Sequence, residues 1–394
     1  MENLLITGVT GILGRHVLYE LLAEYASGTR NGRLFLVVRS GAKESASERI
    51  SSLLSNPFKP AYLDVYPVEE LLSFIEVIDS DLRDLKKSPL LKSKLGDYLH
   101  VIHIAAITNL NTADSALQDV HDFNYLTTLE LMEQLKHIPH KFIFISSAFS
   151  CGIQTGLIDS NYRRFGSGGE LLPFSSLSAY RNHYEFYKAM AEYQVIKHCE
   201  DNQITWQILR PSVICGRLLD APLYYLPLFN VFYEVGRIIN KGIQRHKEHD
   251  IKKIRIMGDH KSTLNIVPVD YVAKTILAVF RRDDVKQLSI VNSAPLSNAY
   301  LIKHSIHRLG LECELVDSTP ENMNLLEEWY YKRAGKWLSR YLNTTSYNFD
   351  AAPLRKLILH IPEPDIQNTF EELYDYALQH NFENPELSLS TSAL

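Results

Sequence analysis

Tyr184 and Lys188 stand four residues apart in the run Tyr184-Glu185-Phe186-Tyr187-Lys188, a spacing that puts both side chains on one face of a helix, one turn apart. A phenol with an ordinary pKa of about 10 is a poor base at neutral pH. A neighbouring ammonium favours the phenolate and lets the oxygen exchange a proton with a carbonyl or carbinol oxygen. Tyr180 and Tyr187 have no lysine four residues on and read as structural. Upstream, the apolar run Phe142-Ile143-Phe144-Ile145 ends in Ser146-Ser147. At such a strand end Ser147 can hydrogen-bond a reacting oxygen and share its developing charge with Tyr184. No Gly-x-Ser-x-Gly elbow surrounds Ser147, so it is not expected to act as a nucleophile. His103 reads as a satisfied core histidine, and the other histidines lack metal-ligand spacing, so no metal is expected.

Chemistry of this kind needs a redox partner, and the first residues of the chain suggest one. Thr7-Gly8-Val9-Thr10-Gly11-Ile12-Leu13-Gly14 follows directly on the apolar run Leu4-Leu5-Ile6. A buried strand that stops at a glycine and restarts as a helix, expected over 15–24, aims unpaired N–H groups at whatever sits in the turn, and a pyrophosphate fits there. Gly8 allows the tight turn, Gly11 lets the backbone approach phosphates, and Gly14 lets helix pack closely on strand. The next apolar run, 34–38, ends at Arg39. An acidic residue there would bind the ribose 2′-hydroxyl of NAD, whereas Arg39, helped by Arg49, offers a charge-assisted contact to the 2′-phosphate of NADP.

These sites need a scaffold. Apolar runs at 4–6, 34–38, 74–78, 101–104, 142–145 and 207–209 recur with helical stretches between them, the pattern of a doubly wound, mostly parallel sheet covered on both faces. A helix over 184–198 carries Tyr184 and Lys188. From Leu218 onward the pattern loosens, with short strands expected at 254–257, 265–267 and 288–291. We therefore expect a nucleotide-binding domain over 1–215 and a smaller, mostly helical substrate subdomain over 216–383, with 265–295 returning to the first domain. A mobile tail is expected over 384–394. The aromatic stretch 221–235 reads either as a buried subdomain helix or as the wall of a greasy substrate tunnel, and is too short to span a membrane.

With 394 residues the chain can bury a full core. Its formal net charge of −5 gives no basic field, so a nucleic-acid partner is not expected. The four cysteines, Cys151, Cys199, Cys215 and Cys313, are widely spaced with no Cys-x-x-Cys pair and read as free thiols in a reducing cytosol. A core strand within a few residues of Met1 argues against a signal peptide. The expected location is cytoplasmic, without a transmembrane segment and with peripheral membrane contact left open.

The chain resembles the extended short-chain dehydrogenase/reductase superfamily over roughly residues 3 to 300. The resemblance rests on the glycine turn with Arg15, Val37-Val38-Arg39-Ser40 with Glu48-Arg49-Ile50, Asp81-Leu82, Val101-Ile102-His103-Ile104-Ala105-Ala106 and Asn124. It continues through Ser146-Ser147-Ala148, Tyr184-x-x-x-Lys188 with Glu192, Arg210-Pro211-Ser212 and Asn265-Ile266-Val267-Pro268-Val269-Asp270. Within the superfamily, Arg39, Arg49, the Val-Pro-Val-Asp segment and Asn348-Phe349-Asp350 are similar to the fatty acyl-CoA reductases and the thioester reductases, including the terminal domain of carboxylic acid reductases. Ser80-Asp81-Leu82 departs from their usual Gly-Asp-Leu.

The resemblance implies a Rossmann fold with NADPH held by Thr7, Gly8, Thr10, Gly11, Ile12, Leu13, Gly14, Arg39, Arg49, Asp81, Leu82, Ala105, Ala106, Asn124, Lys188 and Pro211. It implies catalysis by Ser147, Tyr184 and Lys188 on an acyl thioester, giving an aldehyde and, with a second hydride, an alcohol. No carrier or adenylation domain is visible, so a carrier protein would act in trans. The stretch 218–239 would then line an acyl channel, with Leu226 and Phe229 as its test positions. Two rivals stay open. A nucleotide-sugar epimerase or hydroxysteroid-type dehydrogenase would use the same Ser147, Tyr184 and Lys188, while the complete trio weighs against a non-catalytic NADP-binding regulator. Oligomeric state is not legible.

Overall fold

The computed structural model describes residues 2–85, 95, 98–111, 113–165, 171–172, 176–342 and 347–387, with backbone alone at 164, 165, 171, 172 and 336. Among these residues one seven-stranded, all-parallel sheet forms from β1 (Asn3–Thr7), β2 (Leu34–Val38), β3 (Ile75–Asp79), β4 (Leu99–His103), β5 (His140–Ile145), β6 (Thr205–Pro211) and β7 (Gln287–Ile290). The strand order is β3-β2-β1-β4-β5-β6-β7. Neighbouring residues on a strand face opposite sides, so continuous apolar runs are the mark of a sheet covered on both faces. Leu4, Ile6, Leu34, Leu36 and Val38 enter one core, while Leu5, Phe35 and Val37 enter the other.

Helices close both faces. α1 (Ile12–Ala26) lies on the first face. α2 (Ala46–Leu54) follows β2 and starts in a Ser45/Glu48 capping box. α3 (Thr127–Leu135) and α4 (His183–Asp201) cover the opposite face with Leu131, Leu135, Val195 and Ile196. The strand order reverses at β1, which has β2 on one side and β4 on the other. That reversal opens a crevice at the carboxyl ends of β1 and β4, where open parallel sheets bind ligands.

Several of the remaining elements build a third, smaller core. α5 (Phe232–Arg245) contributes Val235 and Ile239 to it. α6 (Val269–Val279) returns to the sheet and packs on α1, and α7 (Asn298–Arg308) supplies Ile302 and Ile306. Strand Lys253–Met257 pairs in parallel with Glu312–Val316. The second of these strands is absent from the sequence reading because its apolar residues alternate with Glu312 and Glu314 and give no continuous run. α8 (Ile366–Gln379) packs back on the first core with Phe370, Leu373 and Tyr374.

Two expectations are corrected. The stretch 221–235 is not a helix: it is irregular up to Val231 and becomes α5 only at Phe232, since Pro222 and Pro227 offer no amide donor. The tail expected to be mobile from residue 384 is docked through 387. Glu386 accepts hydrogen bonds from Arg15, at 2.6 Å, and from the Tyr225 hydroxyl. Residues 388–394 lie outside the described residues. No helix among the described residues is long and apolar enough to cross a membrane.

Candidate active site

A cleft of about 550 Å³ opens at the carboxyl edge of the sheet. Its floor is the glycine turn. Gly8 has φ +79, and a Cβ there would stand 2.6 Å from the Ala105 nitrogen at the end of β4. At Gly14 a Cβ would stand 2.0 Å from the Gly8 carbonyl oxygen, so α1 meets β1 at a distance only glycine allows. Gly11 is the N-cap of α1, and no side chain caps that helix end. Its first-turn N–H groups therefore face the cleft without an intrahelical acceptor, a cradle suited to a pyrophosphate. Thr10, Ile12, Leu13, Ala105, Ala106 and Pro211 line the same cleft.

At one end stand Arg39, Arg49, Asp81 and Leu82. Arg49 Nη1 donates to the Arg39 carbonyl at 2.7 Å and so shapes the turn after β2. The Arg39 side chain is 59% exposed, and its Nη1 stands 3.4 Å from Asp81 Oδ2. Hydrogen bonds from Arg83 hold the Asp81 carboxyl down at about 2. The donor set fits a dinucleotide: backbone N–H groups for the diphosphate, and a guanidinium at the ribose end.

Two residues expected to touch the cofactor stand behind the wall instead. Thr7 Oγ1 is 2.7 Å from His103 Nδ1 and accepts from the Ile104 and Ala105 amides. Asn124 lies in the π-helical segment His121–Leu126 and grips Ile107 twice, accepting from its N–H at 2.8 Å and donating to its carbonyl at 2.9 Å. Both therefore shape the loop 104–108 that forms the wall. His103 is buried between Thr7 and Thr128, and burial pushes its imidazole down to about 3. It is a neutral core group.

Ser147, Tyr184 and Lys188 converge on the same cleft. The Ser146 amide donates to the Leu209 carbonyl at 2.8 Å, which fixes the end of β5 against β6. Asn182 caps α4 by accepting from the Glu185 amide at 3.0 Å, so Tyr184 sits in the first turn. Burial pushes the Tyr184 phenol up to about 12, against the hydroxyls of Thr108 and Ser147, which act to lower it. Lys188 Nζ donates to the Ile145 carbonyl at 2.8 Å, and burial brings its amine down to about 7. Lys188 is turned toward the end of β5, and the side chains that act on the phenol are Thr108, Ser147 and Glu185. Tyr184 is accordingly a neutral O–H donor, suited to protonating an oxygen that gains charge.

Under this pair lies a buried ion cluster. Burial opposes ionisation of Glu192, yet Arg210 and Arg163 outweigh it and hold the carboxyl at about 2. Arg210 Nε donates to Glu192 Oε1 at 2.8 Å, and the Ser150 hydroxyl donates to the same oxygen at 2.6 Å. The sequence reading missed Thr108, whose only signal was a hydroxyl just past Ala105-Ala106. It also missed Tyr341, which lines the cleft from far along the chain.

The expected acyl wall is corrected in part. Leu226 and Phe229 are each 1% exposed and belong to the first core, where Phe229 packs on Tyr233. Leu228, Asn230 and Val231 line the cleft instead, together with Phe149 and Ile214. The irregular backbone of this stretch sends some side chains to the core and others to the cleft.

Residues 6–276 match the male sterility protein family. Fatty acyl-CoA reductase 1 of Mus musculus is 26% identical over 298 residues, which cover 70% of this chain and 54% of that one. The chain thus spans about half the length of this relative. Among solved structures, the terminal R domain from the myxalamid PKS-NRPS biosynthetic pathway has a TM-score of 0.65 at 17% identity, covering 96% of this chain and 91% of that one. UDP-glucuronic acid 4-epimerase from Bacillus cereus, in complex with UDP-glucuronic acid and NAD, has a TM-score of 0.60 at 19% identity, covering 96% and 99%. At these identities the two structures share a fold with this chain. The family match spans both the glycine turn and the Tyr184/Lys188 helix, and the chain belongs to the male sterility protein family, within the extended short-chain dehydrogenase/reductases, a group of NAD(P)-dependent oxidoreductases.

Proposed function

We propose that the protein is an NADPH-dependent reductase of acyl thioesters. The observation that carries this reading is the composition of the cleft next to Ser147 and Tyr184. Phe149, Ile214, Leu228 and Val231 present hydrocarbon where a nucleotide sugar would need polar partners for a second diphosphate. The fatty acyl-CoA reductase relative and the R-domain likeness support the same substrate class.

NADPH, when bound, supplies a hydride to the thioester carbonyl. Gly8, Gly11 and the first turn of α1 would hold its diphosphate, Arg39 would meet the 2′-phosphate, and Lys188, released from the Ile145 carbonyl, would reach the nicotinamide ribose. Ser147 donates a hydrogen bond to the carbonyl oxygen and orients it. Tyr184, kept neutral by burial, hands its proton to that oxygen as charge develops there. The resulting hemithioacetal loses its thiol to give an aldehyde, and a second reduction would give the alcohol. The thiol belongs to coenzyme A or to a carrier protein acting in trans.

The test mixes protein, NADPH and a panel of acyl-CoA thioesters and follows NADPH absorbance and free thiol together. Coupled loss and release are expected, with a preference over NADH that Arg39→Ala abolishes. Tyr184→Phe should reduce turnover at least about 100-fold while sparing NADPH binding. Equal loss of both would mean that Tyr184 is structural. Oxidation or epimerisation of an alcohol or sugar nucleotide, with no thioester turned over, would favour the rival use of the same three residues.

A further inference from the structure

Behind the cleft lies a second cavity of about 40 Å³, and two residues, Val231 and Tyr341, line both spaces. The rear space is walled by Phe232, Leu264, Leu301, Leu338 and Leu342. Of the polar residues at its edge, Asn298 is committed elsewhere, with Nδ2 donating to Ser262 Oγ at 2.8 Å. The wall is therefore hydrocarbon except at the Ser305 hydroxyl, and it has little to offer a polar ligand.

The partition is built with care. Val231 has φ +55 and ψ −108, a conformation that a β-branched residue adopts only where the surrounding structure over-determines it. The Tyr341 hydroxyl donates to Glu185 Oε1 at 2.8 Å and accepts from Asn182 Nδ2 at 2.6 Å. Asn182 caps α4, and Glu185 adjoins Tyr184. The wall between the two spaces is thus braced directly on the helix that presents the reacting phenol.

We propose that the rear cavity receives the far end of the acyl chain, with Val231 and Tyr341 forming the constriction through which it passes, and that this cavity limits the accepted chain length. The proposal rests on the acyl-thioester reading. An apolar cleft end leads to the constriction, and the space beyond it holds roughly three water-sized groups, hence only the last few carbons of a chain. Each methylene that it accommodates is worth about fourfold in affinity.

Leu338→Trp fills the rear cavity, and Val231→Gly suits the positive φ while widening the constriction. Two series are measured on wild type and both variants: kcat/KM over acyl-CoA esters of increasing length, and the Kd of straight-chain alcohols for the NADPH-loaded protein. In wild type both series should improve about fourfold per methylene up to a plateau. Leu338→Trp should reach the plateau a few methylenes earlier with short chains unaffected, and Val231→Gly later. Thioester turnover with one common length profile in all three proteins overturns the cavity assignment and leaves the reductase reading standing. If wild type turns over no thioester, that reading fails, and the alcohol series decides: an early plateau in Leu338→Trp supports the cavity assignment, and superimposable curves overturn it. Should Leu338→Trp fail to fold by circular dichroism, Val231→Gly carries the same comparison alone.

Discussion

Lys188 is an amine held where its charged form is disfavoured. Its amine lies at the end of β5, bonded to the Ile145 carbonyl, and burial lowers its pKa from 10.5 to about 7 despite the attraction of Glu192. Between those two values the unfolded chain binds a proton that the folded chain does not. Stability should therefore rise with pH from about 7 to about 10.5, by at most about 1.4 kcal/mol per pH unit. Lys188→Met removes that slope. Urea denaturation of wild type and variant across this window checks it, and parallel slopes would show that Lys188 keeps its charge in the fold. The identity of this residue was legible from the four-residue spacing to Tyr184. Its orientation was not, because the Ile145 carbonyl that captures the amine belongs to a strand more than forty residues upstream.

At the scale of elements, β6, α4 and the segment after β5 are locked together by Arg210, Glu192 and Arg163. All three side chains are almost fully buried. Glu192→Gln would leave two guanidiniums without their shared counter-charge, and a loss of about 3–5 kcal/mol in unfolding free energy is expected. A loss below about 1 kcal/mol would mean that Gln287 and the Ser160 carbonyl, both already bonded to Arg210, suffice to hold it. The neighbouring strand β5 was readable from sequence because burial on both faces leaves the unbroken apolar run Phe142-Ile143-Phe144-Ile145. The stretch 221–231 misled for the complementary reason. Its residues are apolar enough for a helix, but two prolines and an irregular path send Leu226 and Phe229 to the core and Leu228 and Val231 to the cleft, and apolar content alone does not reveal which residue goes where.

At the scale of the whole molecule, the start, middle and end of the chain meet beside the glycine turn. Arg15 Nη1 donates to Glu386 at 2.6 Å and to the Tyr225 hydroxyl at 2.9 Å, while Nη2 reaches the Thr10 carbonyl at 3.4 Å. A sequence reading could not find this, since Glu386 lies in a stretch without periodicity and its partner is 371 residues away. Through this contact a tied Arg15 would steady the Thr10 carbonyl at the mouth of the phosphate cradle, which predicts that the last described residues help to position the cofactor turn. Glu386→Ala should lower unfolding free energy by about 1.5–3 kcal/mol, the value of a hydrogen bond between charged groups, and weaken NADPH binding as the turn loosens. Fluorescence titration of NADPH against wild type and variant separates the two effects. Lower stability with unchanged affinity would make Glu386 a fastening for the C-terminal segment alone, and weakened binding at a temperature where both proteins are fully folded would tie the end of the chain to the cofactor site at its beginning.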